Sequence, residues 1–562
     1  NLATPTPIPT VAVIDDTLRI LFWQAPTTLN PHLATGQKDW IPSRITYEPL
    51  ATYDNEGNLI PILATEIPTL ENGDLAEDGK SVTWRLKQNI KWSDGQPLTA
   101  KDVLFTYNFI TNPDTEATTL ATYASVDSVE VLDDYTVAIY FKDANPAWSL
   151  PFVGPNGVII AEHIYAAYNG RKAREAPANL IPVGTGPYQV VSFKPQEVLF
   201  LGNDLIETVK IIFEPNPHYP TADQLFFRRI ELKGGGTVNE AARLSLQIGD
   251  VDFAQNLQLD TETLTALAES GSGHIVANFG AQIERILLNR TDPNRTTADG
   301  EQSSVEFPHP FFSDIRVRQA FALAIDREAI AALYGPTGRP TSNILVSPIN
   351  SPNTSFEYNL DKAAALLNDA GWVDSNGNNI RDKDGQEMKV VFQTSANPLR
   401  QQMQEIVQKS LQSIGVDVEI RVIDSSDYFS SDPTNRNTLE RFRADMQAFS
   451  GRNRSPDPGP YMRDWTCGEI TQKSNNWTGR NVERWCNDSY EALYAEVNRE
   501  FDLDKRRELF IRMNDLLIED VVDIPLVHRA EVSGVNHSIE GLQPTPWDSE
   551  FWNIKDWRRR SP

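Results

Sequence analysis

The sequence predicts a mixed α/β protein divided into more than one lobe, and three observations carry that expectation. The chain has 562 residues, far beyond the size at which one hydrophobic core stops growing. Hydrophobic residues make up 40% and charged residues 23% of it, the balance of a packed globular protein and not of a disordered one. Strand and helix periodicities interleave along the whole length, with helices running directly into strands, the pattern of open sheets covered by helices.

In chain order, Val82, Trp84 and Leu86 alternate with polar neighbours, as a half-buried strand requires. Thr99 followed by Asp102 is a variant capping box, and Val103, Leu104, Tyr107 and Ile110 supply the helical stripe behind it. A second alternation, Val137, Ile139 and Phe141, follows a turn at Asp133-Asp134. Thr237 and Glu240 open another capped helix that stops near Gly249. Val317, Ala320, Phe321 and Ala324 mark a buried helix face in a single helix running on toward Arg327. Met403, Ile406, Val407, Ser410, Leu411 and Ile414 form the clearest helical stripe, ended by Gly415 as a C′ glycine and followed at once by the alternating strand Val416 to Val422. Leu509, Phe510, Met513, Leu516 and Leu517 then predict a helix before a short strand around Ile524 to Leu526.

A formal net charge of -26 gives a surface that repels phosphate backbones and anionic lipid head groups, which argues against nucleic-acid and membrane-surface binding. No run of apolar residues reaches the roughly 20 needed to span a bilayer. The opening Asn1 to Thr10, rich in Thr and Pro, reads as an extended linker, either of the kind that follows a lipidated cysteine or an ordinary frayed terminus. Cys467 and Cys486 are the 2 cysteines of the chain and share one loop-rich stretch. In an exported protein they would form a disulfide contributing on the order of 3 kcal/mol; the alternative is two buried thiols.

Several segments recur in a recognisable order: Leu29 to His32 with Tyr47 to Leu50, Trp84 to Val103, Gly184 to Tyr188, Asn216 to Tyr219, Arg316 to Arg327, Tyr358 to Gly371 and Ser455 to Asp457. From about Leu18 to Leu542 this succession resembles the peptide/nickel/oligosaccharide-binding family of ABC-transporter solute-binding proteins. The physics of these segments is structural: Asp94-Gly95 a turn, Gly186-Pro187 a rigid bend, Asp326-Arg327 a local ion pair. The resemblance implies the two-lobed periplasmic-binding-protein fold of the large type, with the ligand held between lobes joined by a double crossing of the chain. The expected division is a linker over 1–16, a first lobe over 17–50, 183–285 and 529–562, an extra subdomain over 51–182, and a second lobe over 286–528.

The resemblance also points to the candidate ligand residues. The loop Phe449 to Asp457 aligns with a cleft-lining loop in which peptide binders place an acid for the ligand amine, and here Arg452 occupies that position. A guanidinium there favours a carboxylate or hydroxyl-rich ligand, with Asn453 beside it and Asp457 available for an amine in a shifted register. Gln37 and Trp40 lie in a second cleft-facing loop, and Trp40 offers a flat apolar face for stacking. Trp477, near the cysteines, is a further candidate. Asp374, Asn376, Asn378, Asp382 and Asp384 place oxygens at alternate positions, as in a structural calcium loop. The position where a bidentate Glu closes such a loop holds Gly385, so a plain Asn/Asp/Gly turn competes with calcium.

Other patterns are dismissed on spacing. The stretch from Gly73 to Lys80-Ser81 has one residue too many between its glycines for a phosphate loop, and its acids would repel phosphate. Gly234 to Gly236 is explained by a strand-to-helix connection. The 7 histidines are scattered, with no His-x-x-x-His.

The expected function is an extracytoplasmic solute-binding protein, periplasmic or at the cell surface, lipid-anchored if its opening segment is a tether. It would act as a monomer with ABC permease subunits, capture short peptides, and have no catalytic residues or cofactor other than a structural calcium, should the 374–384 loop be a calcium site. An oligosaccharide ligand is the alternative within the family, a metal complex ranks third, and a secreted hydrolase is the alternative outside it.

Overall fold

The computed structural model describes residues 15–34, 36–195, 199–201, 204–206, 208–257, 259–269, 271–429, 435–453 and 455–560. Residues 1–14 of the Thr/Pro-rich opening, Arg454 and the side chain of Arg452 lie outside this description.

One sheet of 11 strands runs through the molecule. Its strands are β1 (Thr17–Phe22), β2 (Tyr188–Pro195), β3 (Val209–Pro215), β4 (Arg229–Gly234), β5 (Phe253–Gln255), β6 (Gly273–Leu288), β7 (Gly338–Pro340), β8 (Lys389–Ser395), β9 (Asp417–Ile423), β10 (Met446–Arg452) and β11 (Asp523–Asn536). They are ordered β9-β8-β10-β6-β11-β5-β1-β4-β3-β2, with β7 added on β11. Parallel pairing joins β4-β1-β5 at one end and β9-β8-β10 at the other. Antiparallel β6 and β11 form the middle and belong to both ends. The C-terminal strand is far longer than its few central apolar residues suggest, because β6, β5 and β7 all pair with it.

Separate cores sit at the two ends. Leu18, Ile20, Phe213, Ile230, Phe253 and Trp557 pack into the first lobe. Val317, Phe321, Phe392, Met403, Val407 and Leu411 pack into the second, beside a cluster of Trp465, Trp485, Tyr490, Phe510 and Met513. A third body shares one core from Leu33 to Ala178 around the hairpin Val126–Asp133/Thr136–Phe141 and the helix Ala100–Thr111. The predicted capping box opens that helix: the Thr99 amide donates to Asp102 at 2.9 Å, and the second Asp102 oxygen accepts from the Glu162 amide at 3.0 Å. Helix Pro398–Ser413 buries Met403, Val407, Ser410 and Leu411 and ends at Gly415 with φ 86°, which turns the chain directly into β9.

Two expectations are corrected. The stretch Arg316 to Arg327 is two helices, Ile315–Leu323 and Arg327–Ala332. The Asp326 carboxylate accepts from the Ala329 amide at 2.9 Å, so it caps a new helix instead of pairing with Arg327. The Arg327 guanidinium donates to the Pro525 carbonyl on β11 at 2.7 Å and lies over the Phe356 ring.

The family-like segments meet at the junction of the first lobe with the third body. The Gly186 amide donates to the Thr46 carbonyl at 2.8 Å, and a Cβ on Gly184 or Gly186 would overlap that peptide. Asn216 Nδ2 donates to the Gly186 carbonyl at 2.9 Å, the Ser93 amide donates to the Gly184 carbonyl at 2.9 Å, and the His218 ring lies against Gly95. The glycines are required by close backbone approach.

In the second lobe Arg285 is enclosed by the rings of Phe449, Tyr461 and Trp465 and pairs with Asp523 at 2.9 Å. Glu483 is buried beside this pair. Burial and the neighbouring Asp523 push its carboxyl well above the usual range, more than Arg285 lowers it. Cys467 and Cys486 are joined in a disulfide with Cα atoms 4.8 Å apart, closing the loop that carries Glu483.

A group with a raised folded pKa stabilises below its unfolded pKa and loses that contribution as pH rises. Stability should therefore fall from about pH 4.5, an ordinary Glu value, upward through the neutral range. Glu483→Gln, which keeps the neutral form, should be more stable than wild type at pH 8, with the gap shrinking as pH approaches 4.5. Denaturant melts across this range check it, and a pH-independent difference would contradict the assignment.

Candidate functional site

The two lobes are connected where β6 and β11 pass from one to the other. Their register jumps there: Asn278 faces Glu531 and Gln282 faces Arg529, leaving Phe279 to Ala281 outside the regular ladder. The Phe279 ring lies edge-on to His528 and beneath the Arg339 guanidinium, 3.7 Å from its carbon. Burial and Arg339 lower the His528 pKa more than its bond to Gly280 raises it. Because a carbonyl can only accept, His528 donates from Nε2 to the Gly280 carbonyl at 2.6 Å.

One step into the second lobe, Glu284 of β6 is buried between two arginines. Arg400, at the start of helix Pro398–Ser413, donates to both carboxylate oxygens at 3.1 Å, and Arg529 of β11 donates at 2.7 Å. Burial alone would raise the Glu284 pKa; the two guanidinium charges outweigh it and hold the carboxyl below its ordinary range. Removing one partner from such a buried network costs about 3–5 kcal/mol, because the remaining charge stays buried.

Beyond this crossing the lobes face each other and touch. A Cβ on Gly57 would lie 3.2 Å from the Pro456 ring and 3.7 Å from Trp547 Nε1. The Tyr53 hydroxyl, bonded to Ser149 at 3.1 Å, is close enough to Asp457 to feel its charge. Further out, the Phe501 ring covers Gly79 so closely that any side chain at residue 79 would overlap it. The described conformation is closed.

Among the described residues, three buried side-chain N–H donors in and around the cleft have no hydrogen-bond partner: Gln255 Nε2, Asn453 Nδ2 and Trp547 Nε1. Their residues are 4%, 4% and 3% exposed. Gln255 ends β5, opposite Phe22 at the carboxyl end of β1. Ligands of open α/β sheets gather at such strand ends.

The predicted ligand residues divide. Asn453 stands at the interlobe junction, its Oδ1 accepting from the Ser455 amide at 3.3 Å. The Arg452 backbone continues β10 opposite Gln282, next to the crossing. Gln37 Nε2 donates to Glu531 of β11 at 2.7 Å, so it lies at the floor near the crossing. Asp457 is near the cleft, but Arg506 holds both its oxygens, at 2.6 and 3.0 Å, and the Gly459 amide adds a third bond. Trp40 is half-buried against the first-lobe core. Trp477 is stacked under Arg441, whose guanidinium carbon is 3.1 Å from the ring centroid. It belongs to the cysteine loop, tied through Lys473 to Asp299, and does not join the residues at the crossing. Tyr53, Gly57, Trp547, Phe501 and the Glu284 network were not predicted, and no local pattern marks them.

The calcium-like segment uses its oxygens on its own backbone. Asp374 accepts from the amides of Gly377, Asn378 and Asn379, Asn376 from Asn378, and Asn378 from Ile380. Asp382 accepts from the Ser375 amide at 2.9 Å and its hydroxyl at 2.7 Å, and Asp384 occupies a left-handed turn at φ 52°. Among the described residues no group of three or more His, Cys, Asp or Glu is arranged to hold a metal ion.

A sheet shared by two lobes, crossed twice by the chain and closing on buried unpaired donors, defines a two-lobed binding protein. The family model of bacterial extracellular solute-binding proteins, family 5, matches residues 58–472, and the chain belongs to this family. It is 28% identical over 418 residues to the oligopeptide-binding protein AppA of Bacillus subtilis, covering 71% of this chain and 68% of that one. It is 23% identical over 570 residues to a dipeptide-binding protein of Pseudomonas aeruginosa, covering 94% and 93%. Among solved structures, the substrate-binding protein CtaP of Listeria monocytogenes superposes with a TM-score of 0.77 at 19% identity, over 98% of this chain and 100% of that one. AppA of Bacillus subtilis, in complex with a nonapeptide, gives 0.66 at 22% identity over 98% and 99%. These two share the fold.

The Gly79–Phe501 contact should control closure. In protein saturated with peptide, Gly79→Val is expected to enlarge the radius of gyration in small-angle scattering, and adding Phe501→Ala should reverse most of the change. An unaltered radius in Gly79→Val would contradict a closed state that depends on this contact.

Proposed function

We propose that this protein is the ligand-capturing component of an ABC importer and that its ligands are short peptides, held between the lobes and released chemically unaltered. The observation that carries the reading is the strand pair common to both lobes, which lets them close on a junction lined by buried, unpaired N–H donors. Such donors suit a chain of amide carbonyls, and leaving them unpaired costs about 1–3 kcal/mol each. The printed names of the oligopeptide- and dipeptide-binding relatives, and the nonapeptide in the solved AppA complex, point the same way. Peptides are favoured over oligosaccharides because the two tryptophans suited to sugar stacking are engaged elsewhere, Trp40 against the core and Trp477 under Arg441.

On this reading the protein works outside the cytoplasm, in the periplasm or at the cell surface, as a monomer tethered through its Thr/Pro-rich opening. The lobes then meet at the crossing of β6 and β11, with Glu284, Arg285 and Arg529 on the second-lobe side, and the subdomain over 51–182 belongs with the first lobe.

A ligand that binds only the folded state adds stability of RT ln(1 + [L]/Kd), about 2.7 kcal/mol at a hundredfold excess over Kd. Thermal-shift measurements should give a rise with di- to nonapeptide pools and none with oligosaccharides, and mass spectrometry should recover the peptides intact. A rise with oligosaccharides alone, or steady peptide cleavage, would contradict the proposal.

A further inference from the structure

The buried donors at the lobe junction have a common chemistry, and it narrows the ligand. Asn453 belongs to the second lobe, and its Oδ1 is committed to the Ser455 amide at 3.3 Å. That bond fixes the amide orientation, so the group left unpaired is the N–H2. Trp547 belongs to the C-terminal segment that packs with the third body, and its indole N–H is a donor with no acceptor function. The indole nitrogen and the Pro456 ring, in the same turn as Asn453, both face Gly57.

The one carboxylate of this turn, Asp457, is neutralised by Arg506, whose exposed area is small and whose third nitrogen, Nη1, donates to the Val497 carbonyl. Among the described residues the Asn453 turn thus presents an N–H group and Trp547 a second from the facing side, while the carboxylate of that turn is already paired. A buried anion is stable only where several donors meet it, and charge-assisted bonds are roughly twice as strong as neutral ones.

We propose that Asn453 and Trp547 form one ligand subsite, completed when the lobes close, that receives the C-terminal carboxylate of the bound peptide. The inference rests on the peptide reading above and adds which end of the peptide is recognised. The amino end is then not a recognition element, so acylated peptides are ligands as good as free ones.

The test uses the full chain and random pentapeptide pools lacking Asp and Glu, in three forms: free at both ends, N-acetylated with a free carboxylate, and free at the amino end with a C-terminal amide. Calorimetric titration should give the two carboxylate pools affinities within about threefold of each other and the amide pool at least about tenfold weaker, some 1.4 kcal/mol. Trp547→Phe keeps the ring and deletes the donor; Asn453→Asp replaces the donor by a negative acceptor. Each should weaken the carboxylate pools by at least about tenfold and narrow the gap to the amide pool. The melting temperature of each ligand-free variant shows that it has folded, and either variant alone suffices. Amide peptides binding as tightly as acids, or a gap unchanged in a folded variant, would overturn the subsite while leaving the peptide reading intact. Failure of all three pools to bind the wild type would overturn both.

Discussion

The structure depends on two antiparallel strands that belong to both lobes. β6 and β11 carry the hydrogen-bond ladder from one core to the other, so the lobes cannot separate without breaking a sheet. They can still rotate, because the ladder skips Phe279 to Ala281. Immediately beyond that gap, Glu284 ties β6 to β11 through Arg529 and to the second-lobe helix through Arg400. A charge buried in this way is satisfied in one geometry only, which makes the second lobe a rigid partner and leaves the irregular segment as the hinge.

That arrangement explains why the polar groups at the closing faces are sorted. Charges near the cleft are consumed inside one lobe, Asp457 by Arg506 and Glu284 by its two arginines, whereas the unpaired groups are neutral donors. Neutral donors can be buried by closure at moderate cost and are restored by a ligand that brings acceptors. Lobe-to-lobe contacts such as Phe501 on Gly79 are apolar and small, which suits a closed state populated in proportion to ligand affinity.

Much of the fold was legible because its signals are local. Thr99 and Asp102, Gly415 after an apolar stripe, and the glycines at 184 and 186 each state a backbone requirement that neighbouring residues complete. The break at Ala324 to Asp326 was missed because the apolar periodicity runs to the very residues where Asp326 turns to cap the next helix. The site was legible only in part. Asn453 is marked in the sequence by its place in a recognisable loop, but Trp547 and Gly57 approach that loop from opposite ends of the chain, and no spacing rule connects them. Asp457 looks free in the sequence because its partner, Arg506, lies on a helix 49 residues further along the chain.

The central claim is that the lobes move as bodies about β6 and β11 when a ligand enters. The 2 cysteines are paired with each other, so new cysteines can be spin-labelled selectively. Leu132 on the third body and Val373 on the second lobe are 51% and 45% exposed and suit this purpose. Electron–electron double resonance between labels there should give a long-distance population without ligand that shifts to a shorter one on saturation with the peptide pool. A single distance, unchanged by peptide under conditions where calorimetry detects binding, would contradict the account.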